Sequence, residues 1–324
     1  MVEYLLLTSF VVSFIVTLAI TPRWIAVAYR IKLTGKDMNN FKKHEIAEMG
    51  GLTVNAGFIA GILVYIAITT FYLNQNPELI YILATIATCL IIMIAGMLDD
   101  ILGWKIGLKK WQKPLITVVA ALPMMAVNAG EHEMVLPILG SVDFGIAYPL
   151  LIIPLAIMGA ANGYNMLAGF AGLEAGMGVI ILSTLGFVAW AMGSGWVAIV
   201  ALCMVASLLA FLRYNWYPAR IFPGDTLTYT VGALIAVIAI IGNMEKIAIF
   251  LFSLYLLEFV MKARTRFRGE CYGSPDKHGY ISPPEIAESL THVIMKIKLR
   301  EPQIVLLFFA LQFIVSALTL ILVF

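Results

Sequence analysis

The stretch YPLLIIPLAIMGAANGYNMLAGFAGLEAGMGVIILSTLGFV, residues 148–188, contains two uncharged apolar runs, Tyr148–Met158 and Val179–Val188, on either side of a glycine-rich break. Asn162, Asn165 and Glu174 lie in or beside that break. About 20 apolar residues cross the ~30 Å hydrocarbon core of a bilayer as a helix. The pattern predicts two membrane helices, over 145–162 and 176–192, whose connection holds its polar residues at the membrane boundary. Extended outward, the same reading gives eight further spans: 3–28, 51–73, 79–98, 114–129, 196–212, 226–242, 246–264 and 303–324.

Composition agrees. Of 324 residues, 61% are hydrophobic and 12% charged, with a mean hydropathy of +0.95; a soluble chain carries roughly 25% charged residues. The chain is expected to be an all-α polytopic membrane protein of about ten transmembrane helices, forming one integral-membrane domain over residues 1–324. A net charge of +2 gives no reason to expect a nucleic-acid partner. Val2–Ile20 lacks a basic leading segment and a small-residue cleavage site, so it reads as the first membrane helix and not as a signal peptide. Cys89, Cys203 and Cys271 show no metal-ligand spacing and read as core residues.

Charge assigns the two sides. The connections 29–50, 99–113, 163–175, 213–225 and 265–302 hold 17 Lys and Arg residues, and the alternate connections hold none. The positive-inside rule places the first set in the cytosol and both termini outside. The stretch 128–145 on the other side reads as a small hairpin. Nearly every residue able to do chemistry falls on the cytosolic side, in a plasma membrane or an endoplasmic reticulum membrane.

Three stretches concentrate that chemistry. In AGMLDDILGWKIGLKKWQKP, residues 95–114, Asp99 and Asp100 close an apolar span. Adjacent carboxylates at a partly desolvated boundary repel unless a metal, a base or a proton offsets them, and Lys113 is a candidate partner. Taken alone, the pair has a solvated helix end as its alternative reading. Asn162 and Asn165, three residues apart, share one helical face, and the glycines after them allow close backbone approach to a flat or anionic group. In NWYPARIFPGDTLTYTVG, residues 215–232, Asp225 occupies the expected N-cap of the next span. A capping carboxylate at a cavity mouth is also a ligand for Mg²⁺, which takes one or two protein oxygens and completes its shell with phosphate and water. The long segment 262–302 opens with Lys262, Arg264, Arg266 and Arg268, which read as a headgroup anchor. It continues through Lys277 and His278, placed between chain breakers, to a predicted amphipathic helix over 285–300.

Five motifs together, GKDMNN (35–40), EMGG (48–51), LDD (98–100), NMLAGFAGLEAG (165–176) and NWYPARIFPGDT (215–226), resemble the polyprenyl-phosphate N-acetylhexosamine-1-phosphate transferase family, and most closely its eukaryotic and archaeal UDP-GlcNAc:dolichyl-phosphate branch. The resemblance implies a ten-helix fold and transfer of GlcNAc-1-phosphate from UDP-GlcNAc to a polyprenyl phosphate, with release of UMP. It implies Mg²⁺ (or Mn²⁺) as cofactor, held by Asn165 and Asp225. Gly169 and Phe222 would hold the uracil, Asp99 and Asp100 match the acidic pair, and Lys113 matches the phosphate-binding lysine. Glu48, Trp111 and Asn162 join them as substrate contacts, with Lys277 and His278 in the last inner loop. That fold is compatible with a homodimer.

The chain departs from the family at two places. Ala171 stands where the eukaryotic branch has Asn, and the last inner loop carries only PDKHG where relatives have Arg-His-Arg or a histidine run. Both bear on the donor, so UDP-MurNAc-pentapeptide is the alternative substrate. A transporter or lipid flippase is the alternative of another class; it predicts charged residues in mid-span, and Glu258 in the ninth span is the exception to otherwise clean spans here.

Overall fold

The computed structural model describes residues 2–106, 108–109, 111–136 and 140–324. The chain is mostly helical. Helix α1 (Val2–Arg30) leads through a short hairpin, β1 (Thr34–Lys36) and β2 (Glu45–Ala47), into α2 (Gly51–Ala67), which ends in a π turn over Ile68–Tyr72. Helix α3 (Leu79–Ile106) is followed by the short helices α4 (Gln112–Val119) and α5 (Leu122–Ala126). The hairpin expected on the far side is present as β3 (Glu133–Leu136) against β4 (Gly140–Asp143). A π turn at Tyr148–Ile152 starts α6 (Ile153–Met166), and α7 (Leu173–Ala191), α8 (Gly195–Asn215) and α9 (Asp225–Ile241) come next. The chain closes with α10 (Glu245–Leu251), α11 (Ser253–Arg264), the hairpin β5 (Ser274–Pro275) and β6 (Ile281–Ser282), α12 (Leu290–Met295) and α13 (Glu301–Val323).

Among the described residues, seven helices are long and apolar enough to cross a membrane: 7–30, 51–72, 79–102, 148–166, 173–191, 195–215 and 301–323. The other three expected spans are shorter or broken. Segment 114–129 is divided at Ala120–Ala121, where Pro123 lies in the first turn of α5; a proline ring clashes with the carbonyl four residues back and kinks or breaks a helix there. Segment 246–264 is divided at Phe252, although Phe252 N–H still donates to the Ala248 carbonyl and Leu256 N–H to the Phe252 carbonyl, at 2.9 and 3.0 Å. Helix α9, at 17 residues, is about 26 Å long.

Helix α9 lies at the centre. Every residue from Thr226 to Ile240 is buried, and α2, α3, α6, α7, α8 and α10 pack around it. Without a hydrophobic drive between helices in lipid, small residues and hydroxyls carry much of the association. Gly57 and Gly61, one turn apart on α2, rest on Ser13 and Thr17 of α1, where an added Cβ would collide with the hydroxyls. Asn55 then ties α2 to α9, donating to the Gly51 carbonyl at 2.9 Å and the Thr230 hydroxyl at 3.2 Å. The buried centre fixes the height of the α9 N-terminus, and with it Asp225.

Candidate active site

The loop before α9 is stitched to the loop before α2. Phe222 N–H donates to the Ala47 carbonyl at 2.7 Å, and the Gly50 and Gly51 N–H groups return to the Phe222 and Pro223 carbonyls, both at 2.9 Å. This brings Glu48 beside Phe222–Gly224. Asp225 is not the N-cap that the sequence suggested. Gly224 holds that position with φ +71° and ψ 171°, and the capping carboxylate comes from Asp100, 125 residues earlier. Asp100 Oδ1 accepts from Asp225 N–H at 2.8 Å; Oδ2 accepts from Thr226 N–H at 3.1 Å and also from the Thr226 hydroxyl. An added Cβ at residue 224 would strike that carboxylate, so glycine is required there for space as well as for conformation.

With Asp100 capping the helix, the Asp225 side chain is free to face outward. Lys113, at the start of α4, lies 2.6 Å from Asp99 Oδ2 and 2.9 Å from Asp225 Oδ2. Asp99 is almost fully withdrawn, with its second oxygen accepting from Leu108 N–H at 2.7 Å, whereas the Asp225 and Lys113 side chains remain 21% and 28% exposed. The facing carboxylates outweigh the cost of burying the ammonium, and the Lys113 pKa lies above the usual lysine value. Across from Asp225, Asn165 on the last turn of α6 accepts at Oδ1 from the Thr228 hydroxyl of α9, at 3.0 Å.

These groups line a cavity of about 490 Å³. Glu48, Asp99, Asp100, Lys113, Asn165, Gly169, Phe222 and Asp225 all contribute to it. The other four expected residues do not. Asn162 turns to α4, donating to the Thr117 hydroxyl at 2.8 Å. Trp111 is 62% exposed. Lys277 and His278 sit at the exposed tip of the β5–β6 hairpin, whose turn is held by Asp276 accepting from His278 and Tyr280 N–H. The expected 285–300 helix is helical over the six residues of α12 alone.

The structure adds residues that the sequence reading had not used. Lys262 and the segment Gly269–Tyr272 form one wall of the cavity, and Tyr272 packs on Gly169, which has φ +104°. Lys262 had looked like one more surface anchor; Arg264, Arg266 and Arg268 are exposed, but Lys262 is not. Glu174 Oε1 accepts from Gly169 N–H at 2.7 Å and Glu301 Oε1 from Ala171 N–H at 2.8 Å, so two buried acids fix the glycine turn. Glu48 is carried from 4.5 to about 7, first by burial and then by the charge of Asp100.

A membrane helical bundle with carboxylates, an amide and a lysine gathered at the ends of five helices has the character of a phosphotransferase site working at the bilayer surface. The profile of glycosyl transferase family 4 matches residues 80–243, and the chain belongs to that family. It is 34% identical over 319 residues to a Sulfolobus acidocaldarius protein provisionally named UDP-N-acetylglucosamine–dolichyl-phosphate N-acetylglucosaminephosphotransferase, covering 98% of this chain and 95% of that one. It is 27% identical over 285 residues to the Dictyostelium discoideum protein of the same name, covering 76% and 68%. It is also 31% identical over 299 residues to the phospho-N-acetylmuramoyl-pentapeptide-transferase of Halalkalibacterium halodurans, covering 86% and 90%.

Proposed function

We propose that the protein transfers GlcNAc-1-phosphate from UDP-GlcNAc to a polyprenyl phosphate of the dolichyl type, releasing UMP, in a ten-span membrane fold with the site on the cytosolic face. The observation that carries this reading is Lys113 held between Asp99 and Asp225 in a cavity lined by six carboxylates and three lysines. A pocket with that excess of acid repels two phosphorylated substrates unless further cations enter with them. The donor set fits a hard divalent cation: Asp225 and the Asn165 amide offer oxygen, and Mg²⁺ asks for only one or two protein ligands beside phosphate and water. Mg²⁺ bound there would neutralise charge on the donor pyrophosphate.

The remaining chemistry belongs to the chain. A phosphate monoester has a second pKa of ~6, so at neutral pH the lipid phosphate is already a nucleophile and needs no strong base. One of its oxygens attacks the β-phosphorus of the donor. The bond from that phosphorus to the bridging oxygen breaks, and UMP leaves with the electron pair. Lys113, fixed by two carboxylates, meets the charge that develops on the phosphoryl oxygens. Asp99 orients Lys113, and Asp100 fixes the helix end that carries Asp225. Because the acceptor tail stays in the bilayer, the site has to lie at a membrane surface, and the 17 basic residues on that side support the cytosolic one.

The test is UMP release by the detergent-purified protein with a polyprenyl phosphate, comparing UDP-GlcNAc with UDP-MurNAc-pentapeptide, with and without Mg²⁺. Release from UDP-GlcNAc alone, lost on chelation and in Asp225→Ala, is expected. Turnover of the pentapeptide donor would move the protein to the other branch, and turnover unaffected by chelation would remove the metal.

A further inference from the structure

Glu258 is the one charged side chain in the interior of segment 246–264, it is fully buried, and the reaction as derived makes no use of it. Its partner is Lys262, one turn along α11, with Nζ 3.5 Å from Oε1 and a side chain only 12% exposed. The ammonium donates to the Met166 carbonyl and to Cys271 Sγ at 3.3 Å. The Cys271 thiol also donates to the Met166 carbonyl, at 3.1 Å. The other Glu258 oxygen accepts from Leu290 N–H, at 2.8 Å, at the start of α12. One ion pair thus joins α11, the end of α6, the cavity wall at Cys271 and the segment leading to α13.

An ion pair withdrawn into an apolar helix is a poor way to hold a bundle together, since apolar residues of similar volume often do as well or better. Its particular effect lies in what it grips. Met166 is the last residue of α6, its carbonyl lies at the negative end of the helix dipole, and Asn165 is the residue before it. The chain leaves the helix at Leu167 with φ −103° and ψ 79°, so the helix does not continue to steady the peptide after Asn165. A cation bonded to that carbonyl steadies it. Met166, Lys262 and Cys271 all line the same cavity as Asn165.

We infer that Glu258 and Lys262 are positioning residues for the Asn165 amide, holding it at the geometry that a divalent cation requires. This rests on the reading of Asn165 and Asp225 as the cation site. The measurement is Mn²⁺ binding by electron paramagnetic resonance, with UMP present, on the detergent-purified full chain, beside the melting temperature of each variant. Lys262→Met and the double variant Glu258→Leu/Lys262→Met are expected to weaken Mn²⁺ binding by about 10–100-fold, the usual loss when a group that orients a metal ligand is removed. The double variant leaves no charge unpaired and frees the Leu290 N–H and one bond to the Met166 carbonyl, so it is expected to melt cooperatively within several degrees of wild type, and Lys262→Arg, which keeps the donor, to bind Mn²⁺ within about threefold of wild type. Wild-type Mn²⁺ affinity in a folded double variant overturns the inference alone. A double variant without a melting transition also overturns it, since the pair would then be holding the bundle. Wild-type protein that takes up no Mn²⁺ removes the cation site itself, and the inference falls with it.

Discussion

Asp99, Asp100 and Asp225 meet in space, yet Asp100 caps α9 whereas Asp225 faces Lys113, and substitution can separate the two roles proposed for them. Asp100 accepts two backbone N–H bonds and one hydroxyl bond at the buried N-terminus of α9. Losing a capping side chain costs about 0.5–2 kcal/mol, and leaving the fully buried Thr226 hydroxyl without its acceptor costs about 1–3 kcal/mol more. Asp100→Ala is therefore expected to destabilise by about 1.5–5 kcal/mol, which lowers the melting temperature by several degrees. Asn caps nearly as well as Asp. In Asp100→Asn the amide oxygen can accept from Asp225 N–H while its NH₂ donates to the Thr226 hydroxyl; Thr226 N–H loses its acceptor, so the stability loss should be smaller than in Asp100→Ala and at least about a tenth of the activity should survive. Asp225→Ala should do the reverse. Lys113 keeps Asp99 at 2.6 Å and a partly exposed pair is worth at most about 1 kcal/mol, so melting barely moves while UMP release falls on the order of 10²-fold or more. Cys89, Cys203 and Cys271 are free and buried, so a thiol-reactive fluorogenic dye reports unfolding in detergent while UMP release reports activity. Asp100→Asn with wild-type melting but activity lost like that of Asp225→Ala would refute this division and make Asp100 a reacting group.

Glu48, raised to about 7 by burial and by Asp100, binds its proton more tightly folded than unfolded. Its contribution therefore disfavours the folded state progressively as pH rises from about 4.5 through about 7. Glu48 lines the cavity, so with the donor bound there as proposed its charge above pH 7 would oppose the pyrophosphate, and the donor KM is expected to rise between pH 6 and 8.5 in wild type and to stay flat in Glu48→Gln; parallel profiles would remove Glu48 from the donor site. Gly224→Ala places a methyl against the Asp100 carboxylate at a backbone conformation worth about 1–3 kcal/mol of strain, so both melting temperature and UMP release should fall; an unchanged melting curve would show that the turn has room. Lys277→Ala, His278→Ala and Trp111→Ala, all outside the cavity, are expected to keep UMP release within about twofold of wild type, because exposed substitutions away from a site do little. A tenfold loss in any of them would mean that the residue reaches substrate after all.

How much of this was legible depends on whether the deciding partner is near in sequence. The apolar runs at 51–72, 79–102 and 195–215 were readable because each ends in polar residues. The breaks at Ala120 and Phe252 were not, because both sides are equally apolar and hydropathy carries no signal there. Pro123 was the available sign for the first, and Phe252 has no such sign. The convergence of Glu48, Lys113, Asn165 and Asp225 was anticipated from motifs spread over nearly 180 residues. The division of labour among the acids was not, because a helix cap is normally sought within a few residues of the helix, and Asp100 reaches α9 from 125 residues away. The same holds for Lys262, where three neighbouring arginines with the same spacing do face outward and only Glu258, one turn earlier and buried, distinguishes it. An acid in mid-span was the clue, and its physical meaning is that a buried charge demands a partner. Following the demand from Glu258 leads to Lys262, from Lys262 to the Met166 carbonyl, and from there to the amide of Asn165.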